Sequence, residues 1–425
     1  MKNKNFISII LPLIVSFLMA IPLFAAQSMS LEEAFSIAVS SNETVQIQLE
    51  KIKVAQAQYQ QMKSVTLPQI FFRGSESIQD NSAAGNGPDS PFTASHQPQY
   101  KFSVQQSLFG GFREWDALNA QEAIIDKEKI NLIQVKRDLY LSVSDVYFVA
   151  LLAQKQLDYV IEYRKLYQSR MDELGRRIRV GKSRSSESLA VDAQLLQLRA
   201  EESGLDYARS KAVLDLQQIL KREPADLELN EPNINAIKVP DSGMIYQSLE
   251  RRPELLALEA DKKFYYYQKR AAKHERLPSL SVGANYYLER VEVLDPIKWD
   301  AVLSLEIPIY QGGVERAMSK IADAQLRQID GIISNQKRIL KTEILTDYLA
   351  LKAHLESRLN LQAAHNKTRE TLKISEDEYR LGLINNLEVL QVMSNLLEIK
   401  NRLNAATVDV YVASNKLMLD MREQP

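Results

Sequence analysis

The stretch WDALNAQEAIIDKEKINLIQVKRDLYLSVSDVYFVALLAQKQLDYVIEYRKLYQSRMDELGRRI, residues 115–178, decides the fold. Because an α-helix turns every 3.6 residues, apolar residues spaced by seven predict one nearly straight stripe that a second helix must cover. At a rise of 1.5 Å per residue, this helix would be roughly 95 Å long. An ordinary globular core does not need a helix of that length. The apolar positions spaced by seven are Leu118, Ile125, Leu132, Leu139, Val146, Ala153 and Val160.

The segment that follows runs back along this helix. Residues 115–220 contain no proline, so nothing in them forbids helix. Beyond Gly181 the spacing of seven returns, which predicts a second helix with its own apolar stripe. We therefore expect a long helical hairpin that reverses direction near Gly181. The returning positions are Leu198, Leu205, Ala212 and Ile219.

The hairpin unit occurs twice, because four landmarks appear in two copies and in the same order. They are Leu67-Pro68 and Leu277-Pro278, Gly110-Gly111 and Gly312-Gly313, Arg179-Val180-Gly181 and Arg380-Leu381-Gly382, and Glu187 and Glu388. The duplication predicts two structural repeats, each with a lead-in helix, two strands and long coiled-coil helices. We divide the chain into a signal peptide at 1–26, a first repeat at 27–222, a linker at 223–243 and a second repeat at 244–425.

The composition favours a helix-rich protein. Of 425 residues, 45% are hydrophobic and 25% are charged, with only 14 glycines and 14 prolines. The formal net charge of −1 gives no support for nucleic-acid binding, which usually needs a basic excess. There is no cysteine, which excludes disulfides and a lipid-modified N-terminal cysteine.

The first 26 residues are typical of a signal peptide. Lys2 and Lys4 precede an apolar run at 6–24, and the small residues Ala25 and Ala26 follow it. The alternative is an uncleaved membrane anchor, for which the apolar run is short. We therefore expect an exported protein that is cleaved near Ala25 or Ala26.

A helix leads into each copy. Ser30 and Glu33 are spaced as a capping box, which predicts a helix from there to about Val65. A weak strand pattern at 70–79 and a polar loop at 80–98 come next. In the second copy we expect a helix over 244–273 that is interrupted by a proline. The linker at 223–243 is expected to hold short helices rather than one long helix, because it contains three prolines.

Three further segments, at 100–108, 280–288 and 299–309, alternate apolar and polar residues as half-buried strands do. Strands of about ten residues can cross a bilayer when they are tilted. Four strands cannot close a barrel alone, because two edges would expose unpaired backbone groups to lipid. We expect a barrel shared by several chains, with a small soluble sheet as the alternative. In the barrel, the lipid-facing residues of the last strand would be Trp299, Ala301, Leu303, Leu305 and Ile307.

No pattern in the sequence predicts an enzyme. Gly175 and Gly181-Lys182-Ser183 resemble a phosphate-binding loop, but five residues separate the glycines instead of four, and a helix precedes them instead of a strand. The four histidines show no metal-ligand spacing. We expect no catalytic residues, no cofactor and no metal ion.

The hairpin tips are the more informative sites. Apolar residues at a tip, where loops are normally polar, predict either a docking surface or packing between the two tips of one chain. Glu187 and Glu388 follow the tips and would by default be solvated. In a ring of chains, however, a repeated glutamate would form an anionic constriction.

With these residues in view, the chain resembles the TolC-like outer-membrane efflux proteins along nearly its whole length. The motifs that carry the resemblance are SLEEA at Ser30, RRPEL at Arg251, LPQI at Leu67, LPSL at Leu277, the glycine pairs before the long helices, and the tip segments RVGKSRSSESL and RLGLINNLEVL. Each motif is weak alone, and their duplicated order is specific.

The resemblance implies a homotrimer in the outer membrane of a Gram-negative bacterium. Three chains would form a 12-stranded barrel, embedded in outer-membrane lipid, and a periplasmic α-helical tube. The tube would meet a periplasmic membrane-fusion (adaptor) protein and an inner-membrane pump of the RND, ABC or MFS type. The implied function is a passive exit duct for tripartite efflux or type I secretion. The alternative is a periplasmic structural or adaptor coiled coil without a pore.

The resemblance also assigns residues at the tips. The adaptor-docking residues of the family map onto Val180, Gly181, Lys182, Leu381, Gly382 and Leu383, with Lys182 departing from the apolar residue expected there. Two aspartates that narrow the aperture in some members map onto Glu388 and Gln391, and the second is uncharged here. The candidate constriction therefore comprises Glu388, Gln391 and Glu187.

Overall fold

The computed structural model describes residues 27–80, 95–223, 226–241, 243, 248–291 and 294–421. The expected signal peptide, most of the expected polar loop and the start of the second lead-in helix lie outside the described residues. The helices are α1 (Leu31–Ser41), α2 (Glu43–Ser64), α3 (Arg113–Arg179), α4 (Ser185–Leu220), α5 (Pro253–His274), α6 (Val314–Leu381) and α7 (Asn386–Met421). The strands are β1 (Gln27–Met29), β2 (Gln69–Ile78), β3 (His96–Phe109), β4 (Leu227–Leu229), β5 (Ser279–Glu289) and β6 (Trp299–Glu306).

The two predicted long hairpins are confirmed. Helix α3 has 67 residues and α6 has 68, so each is roughly 100 Å long. Helices α4 and α7, of 36 residues each, return along them and pack on them. In the stripe of α3, Leu132 and Val146 are partly buried. The remaining stripe residues are buried, namely Leu118, Ile125, Leu139, Ala153 and Val160.

The first lead-in helix is not continuous, which corrects the expectation of one helix from Ser30 to about Val65. The capping box at Ser30 and Glu33 is present, and it starts α1. Asn42 then ends α1 and caps α2, because its Oδ1 accepts hydrogen bonds from the backbone N–H groups of Thr44 and Val45 at 2.8 and 3.3 Å. Asn42 itself has an extended backbone, with φ −77° and ψ 127°.

The segment expected to be a linker contains a strand and a 3₁₀ helix. Strand β4 pairs in parallel with β1, and the 3₁₀ helix spans Ile234–Ala236. The hydroxyl of Tyr147, near the middle of α3, donates to the backbone carbonyl of Asn230 at 2.7 Å and lies 2.9 Å from that of Met29. The small sheet is therefore fixed against the middle of the long helix.

The second lead-in segment is interrupted just before Pro253, as expected: a 3₁₀ helix spans Leu249–Arg251, Arg252 is extended, and α5 begins at Pro253. Proline is favourable at the first position of a helix, because the missing N–H would have no partner within the helix. Near the other end of α5, His274 and Arg270 bind the fully buried carboxylate of Asp116 on α3, with N···O distances of 2.6 and 3.1 Å. These ion pairs join the two repeats of the chain close to the strands.

The strands β2, β3, β5 and β6 form one antiparallel sheet in that order. The predicted strands are thus confirmed, with two corrections to their bounds. Strand β3 begins at His96, inside the segment expected to be a loop, and β6 ends at Glu306, so Ile307 lies beyond it. Among the described residues, no helix is both long enough and apolar enough to span a membrane.

Candidate functional site

One face of the four-stranded sheet is apolar and exposed. An aromatic row crosses all four strands, because Phe72 pairs with Phe102, Phe102 with Tyr286, and Tyr286 with Trp299. The rings of Phe72 and Phe102 lie 5.3 Å apart, centroid to centroid. All four side chains are exposed within one chain. A row of large exposed aromatic side chains on one face is typical of a surface that contacts lipid or another chain.

The predicted lipid-facing residues of β6 share this apolar face. Trp299, Ala301, Leu303 and Leu305 alternate along the strand and therefore point to the same side. Leu303 and Leu305 are 66% and 64% exposed. Ile307 is exposed too, but it follows the end of the strand, so its membership of the face is not fixed by the ladder.

The opposite face of the sheet carries a chain of polar contacts. The hydroxyl of Ser103 donates to Asn285 Oδ1 at 2.9 Å, and Asn285 Nδ2 donates to Asp300 Oδ1 at 2.7 Å. The other oxygen of Asp300 accepts from the hydroxyl of Tyr287 at 2.7 Å. The guanidinium carbon of Arg290 lies 3.7 Å from the centre of the Tyr287 ring. The two faces of the sheet therefore suit different surroundings, one apolar and one polar.

The two hairpin tips have the same backbone geometry. Gly181 and Gly382 adopt φ values of +74° and +78°, in the left-handed region that glycine occupies without steric cost. In each tip the residue after the glycine donates its N–H to a carbonyl in the last helical turn, Lys182 to Arg177 at 2.8 Å and Leu383 to Glu378 at 2.9 Å. This is the glycine-terminated helix end, so the apparent phosphate-binding loop is a helix C-terminus.

The tips expose apolar side chains. Val180, Leu381 and Leu383 are 67%, 75% and 70% exposed. Lys182 is exposed beside Val180. Ile384, in contrast, packs against the apolar cluster between the hairpins. Packing between the tips of one chain therefore covers Ile384 and leaves the other apolar residues in contact with solvent.

A hydrogen-bonded tie joins the two tips, and it includes one of the predicted glutamates. Glu187 accepts hydrogen bonds from the hydroxyl of Tyr379, at 3.0 Å, and from the hydroxyl of Ser183. The hydroxyls of Tyr379 and Ser183 lie 3.2 Å apart. Glu187 is therefore not a simple solvated residue, because it links the first hairpin to α6.

Two arginines of α3 lie against the ring of this tyrosine. The guanidinium carbons of Arg170 and Arg177 lie 3.9 and 4.5 Å from the centre of the Tyr379 ring. Arg170 also donates two hydrogen bonds, of 3.0 and 2.9 Å, to Asn386 Oδ1 at the start of α7. Sequence reasoning missed these residues. The available signal was the tyrosine itself, which stands where the first copy has Ile178.

The other two predicted constriction residues are not part of this tie. Glu388 and Asn385 form a capping box at the start of α7, since Glu388 N–H donates to Asn385 Oδ1 at 3.1 Å and Asn385 N–H donates to Glu388 Oε1 at 3.4 Å. Glu388 and Gln391 are exposed. Within one chain, Glu388 thus has a structural role that its position in the sequence did not reveal.

A buried charged cluster lies where α7 ends. Carboxylate oxygens of Glu343, Asp347 and Asp420 come within 4.8 Å of one another. Arg137 and Arg252 bind Asp420, and Lys416 binds Asp347. These cations already balance the carboxylates, which disfavours a metal ion among them. Burial raises the pKa of Asp420 to about 6.

A family model described as "Outer membrane efflux protein" matches residues 35–221 and 244–419. Among curated proteins, the chain is 22% identical to cation efflux system protein CusC of Escherichia coli (strain K12), over 87% of this chain and 81% of that one. It is 23% identical to the pyoverdine export outer membrane protein OpmQ of Pseudomonas putida, over 93% and 86%.

Solved structures give the same fold. A crystal structure of CusC superimposes with a TM-score of 0.78 at 19% identity, covering 92% of this chain and 91% of that one. The outer-membrane channel OprN superimposes with a TM-score of 0.75 at 17% identity, covering 93% and 91%. The fold predicted from the sequence, two repeats of strands and long helices, is that of these channels.

Proposed function

The chain belongs to the outer membrane efflux protein family, and from that premise we propose that it is the exit duct of a tripartite efflux or type I secretion system. It would conduct passively, with substrates delivered by an inner-membrane pump through a periplasmic adaptor. The observation that carries the proposal is one sheet with an exposed apolar face and a hydrogen-bonded polar face, joined to helices roughly 100 Å long.

Three copies would complete the duct. Strands β2 and β6 are the edges of the sheet, and among the described residues neither has a partner strand on its outer side. Unpaired backbone groups cannot face lipid, so each edge needs the edge of another copy. Three copies of four strands give the 12-stranded barrel of the expectation, with β6 of one chain against β2 of the next. The aromatic row would then face lipid and Asp300 would face the lumen.

The tips would bind the adaptor. Val180, Leu381 and Leu383 remain exposed after the chain has folded, although apolar side chains favour burial. Glycine in the left-handed region fixes the shape of both tips, which suits a surface that a partner must recognise. The lysine at 182 makes the first tip more polar than the second, so we assign the larger part of the docking to Leu381, Gly382 and Leu383.

The duct is tested with the purified protein in planar lipid bilayers. We expect stepwise ion conductance, because the polar face of each sheet lines one continuous pore. A periplasmic structural or adaptor coiled coil, which is the alternative function, would give no conductance steps. Failure of a trimeric, correctly folded preparation to conduct would contradict the proposal.

Docking is tested by substitution at the second tip. Leu383→Asp places a charge in the proposed contact and should abolish co-purification of the periplasmic adaptor from the native envelope, with the trimer unchanged. Leu383→Met keeps an apolar side chain of similar size and serves as the matched control. Adaptor binding that survives in Leu383→Asp would refute docking at this tip.

In this proposal the partner pump, and not the duct, selects the substrate. The printed names of the relatives refer to cation efflux and to pyoverdine export, which are chemically unlike each other. Similar ducts thus serve different substrates, and nothing in the polar face of this sheet favours one of them.

A further inference from the structure

A cleft of about 630 Å³ lies between the two hairpins of one chain, away from the sheet and the tips. Residues of α3, α6 and α7 line it, and α7 packs against both other helices. This volume is in the range of small-molecule sites. Every lining residue belongs to a single chain.

The cleft has an excess of positive charge. Four cations and two carboxylates line it, which leaves two positive charges over. In the described part of the chain, none of the four cations has a carboxylate within ion-pair distance. Cations on facing helices repel one another until an anion lies between them. The charged lining residues are Lys165, Arg369, Lys373, Lys400, Glu162 and Glu376.

A buried hydroxyl in the same cleft lacks a good partner. Tyr163 is only 2% exposed, and its hydroxyl approaches the backbone at Leu397 without forming a hydrogen bond of ordinary geometry. Buried hydroxyl groups are normally hydrogen-bonded. An acceptor oxygen on a bound molecule would satisfy this one.

Lys400 is the cation most dependent on a ligand. It is partly buried on α7, with its ammonium 5.6 Å from the centre of the Tyr159 ring. Burial, followed by the charge of Lys155, lowers the pKa of Lys400. Glu162 and Glu231 act on this ammonium group from beyond ion-pair distance and offset only part of that effect. A desolvated ammonium group without a direct carboxylate partner gains most from a bound anion.

We propose that this cleft binds a small polyanion whose phosphate or carboxylate groups contact cations of α3, α6 and α7 together. The bound anion balances the two excess charges and accepts a hydrogen bond from Tyr163. Because it contacts both hairpins, it stabilises their relative position. This site goes beyond the duct function and does not depend on it.

Isothermal titration calorimetry of the purified full-length protein with inorganic pyrophosphate tests the site, with the ionic strength held constant by sodium chloride. We expect saturable binding that weakens at least about tenfold in Lys400→Gln and in Arg369→Gln, since each loses a charge-assisted contact. Lys367→Gln is the matched control, because Lys367 lies on α6 outside the cleft and pairs with Glu370.

Melting temperatures of all the variants establish that they fold. Should Lys400→Gln unfold, Arg369→Gln carries the test, because Arg369 is exposed and lies on another helix. Tyr163→Phe should weaken binding about threefold or more, because it removes a single hydrogen bond. Absence of saturable binding, or equal weakening in Lys367→Gln, would overturn the proposal.

Discussion

At the scale of single residues, Tyr379 joins the two hairpins through both a hydrogen bond and ring contacts. Its hydroxyl donates a hydrogen bond to Glu187 at 3.0 Å, and its ring contacts the guanidinium groups of Arg170 and Arg177. The polar contact and the stacking can be separated experimentally, because phenylalanine keeps the ring and removes only the hydroxyl.

We predict that Tyr379→Phe opens the periplasmic end more often. Loss of a hydrogen bond to a charged group costs about 1.5–3 kcal/mol, which corresponds to a roughly 10- to 150-fold shift in a two-state equilibrium. The shift towards the open state is measured as the open probability of single channels in planar bilayers. Tyr207→Phe on α4, where the side chain is 71% exposed, is the control and should change nothing. An unchanged open probability in Tyr379→Phe would show that the tie does not restrain the tips.

The raised pKa of Asp420 leads us to predict that stability depends on pH. Its pKa rises from 3.8 to about 6 on folding, with burial as the main cause. Between these values the folded protein holds a proton that the unfolded chain releases, so the free energy of unfolding falls as the pH rises from about 4 to 6. The loss is at most about 3 kcal/mol for one group with a shift of this size.

The melting temperature as a function of pH checks this prediction against the variant Asp420→Asn. Asparagine keeps an acceptor for Arg137 and Arg252 but does not titrate. The wild-type melting temperature should fall more steeply than that of the variant between pH 4 and 6. Parallel curves would mean that Asp420 is ionised throughout this range in the folded protein.

At the scale of secondary-structure elements, the periodicity of apolar residues predicted the helices and strands that are long or regular. The spacing of seven located α3 and α4, and strict alternation located β5 and β6, because a single packing environment extends along each element. Because the sequence is duplicated, the second hairpin could be predicted from the first. The tip glycines were identifiable because only glycine adopts the left-handed backbone without cost.

What the sequence did not reveal depends on single contacts. Asn42 divides the lead-in helix through its side chain, in a segment whose residues otherwise favour helix. Strands β1 and β4 have three residues each, too few for a period to show. Arg170 and Asn386 meet across 216 residues of sequence, and no local pattern predicts such a pair.

An arginine should have different effects on the two faces of β6. Leu303→Arg places a charge on the apolar face and should cost about 2–4 kcal/mol near the middle of a bilayer. Val302→Arg, one residue earlier, places it on the polar face beside Asp300 and should be tolerated. The amount of protein that assembles in the outer membrane measures both effects. Equal assembly of the two variants would indicate that the sheet does not face lipid.

At the scale of the whole molecule, the sheet and the tips lie at opposite ends of helices roughly 100 Å long. A single chain leaves two sheet edges open and an apolar face exposed, so it is incomplete as a membrane structure. Membership of the outer membrane efflux protein family places the chain in the outer membrane. The trimer is the assembly that would complete the barrel and the tube together.

The measurement that tests this account most directly is the native mass of the particle extracted in detergent from separated outer membranes. The account predicts three chains per particle, found in the outer-membrane fraction and absent from the inner one. A monomer or dimer recovered from the soluble periplasm would contradict it, because one or two copies leave strand edges that lipid cannot accept.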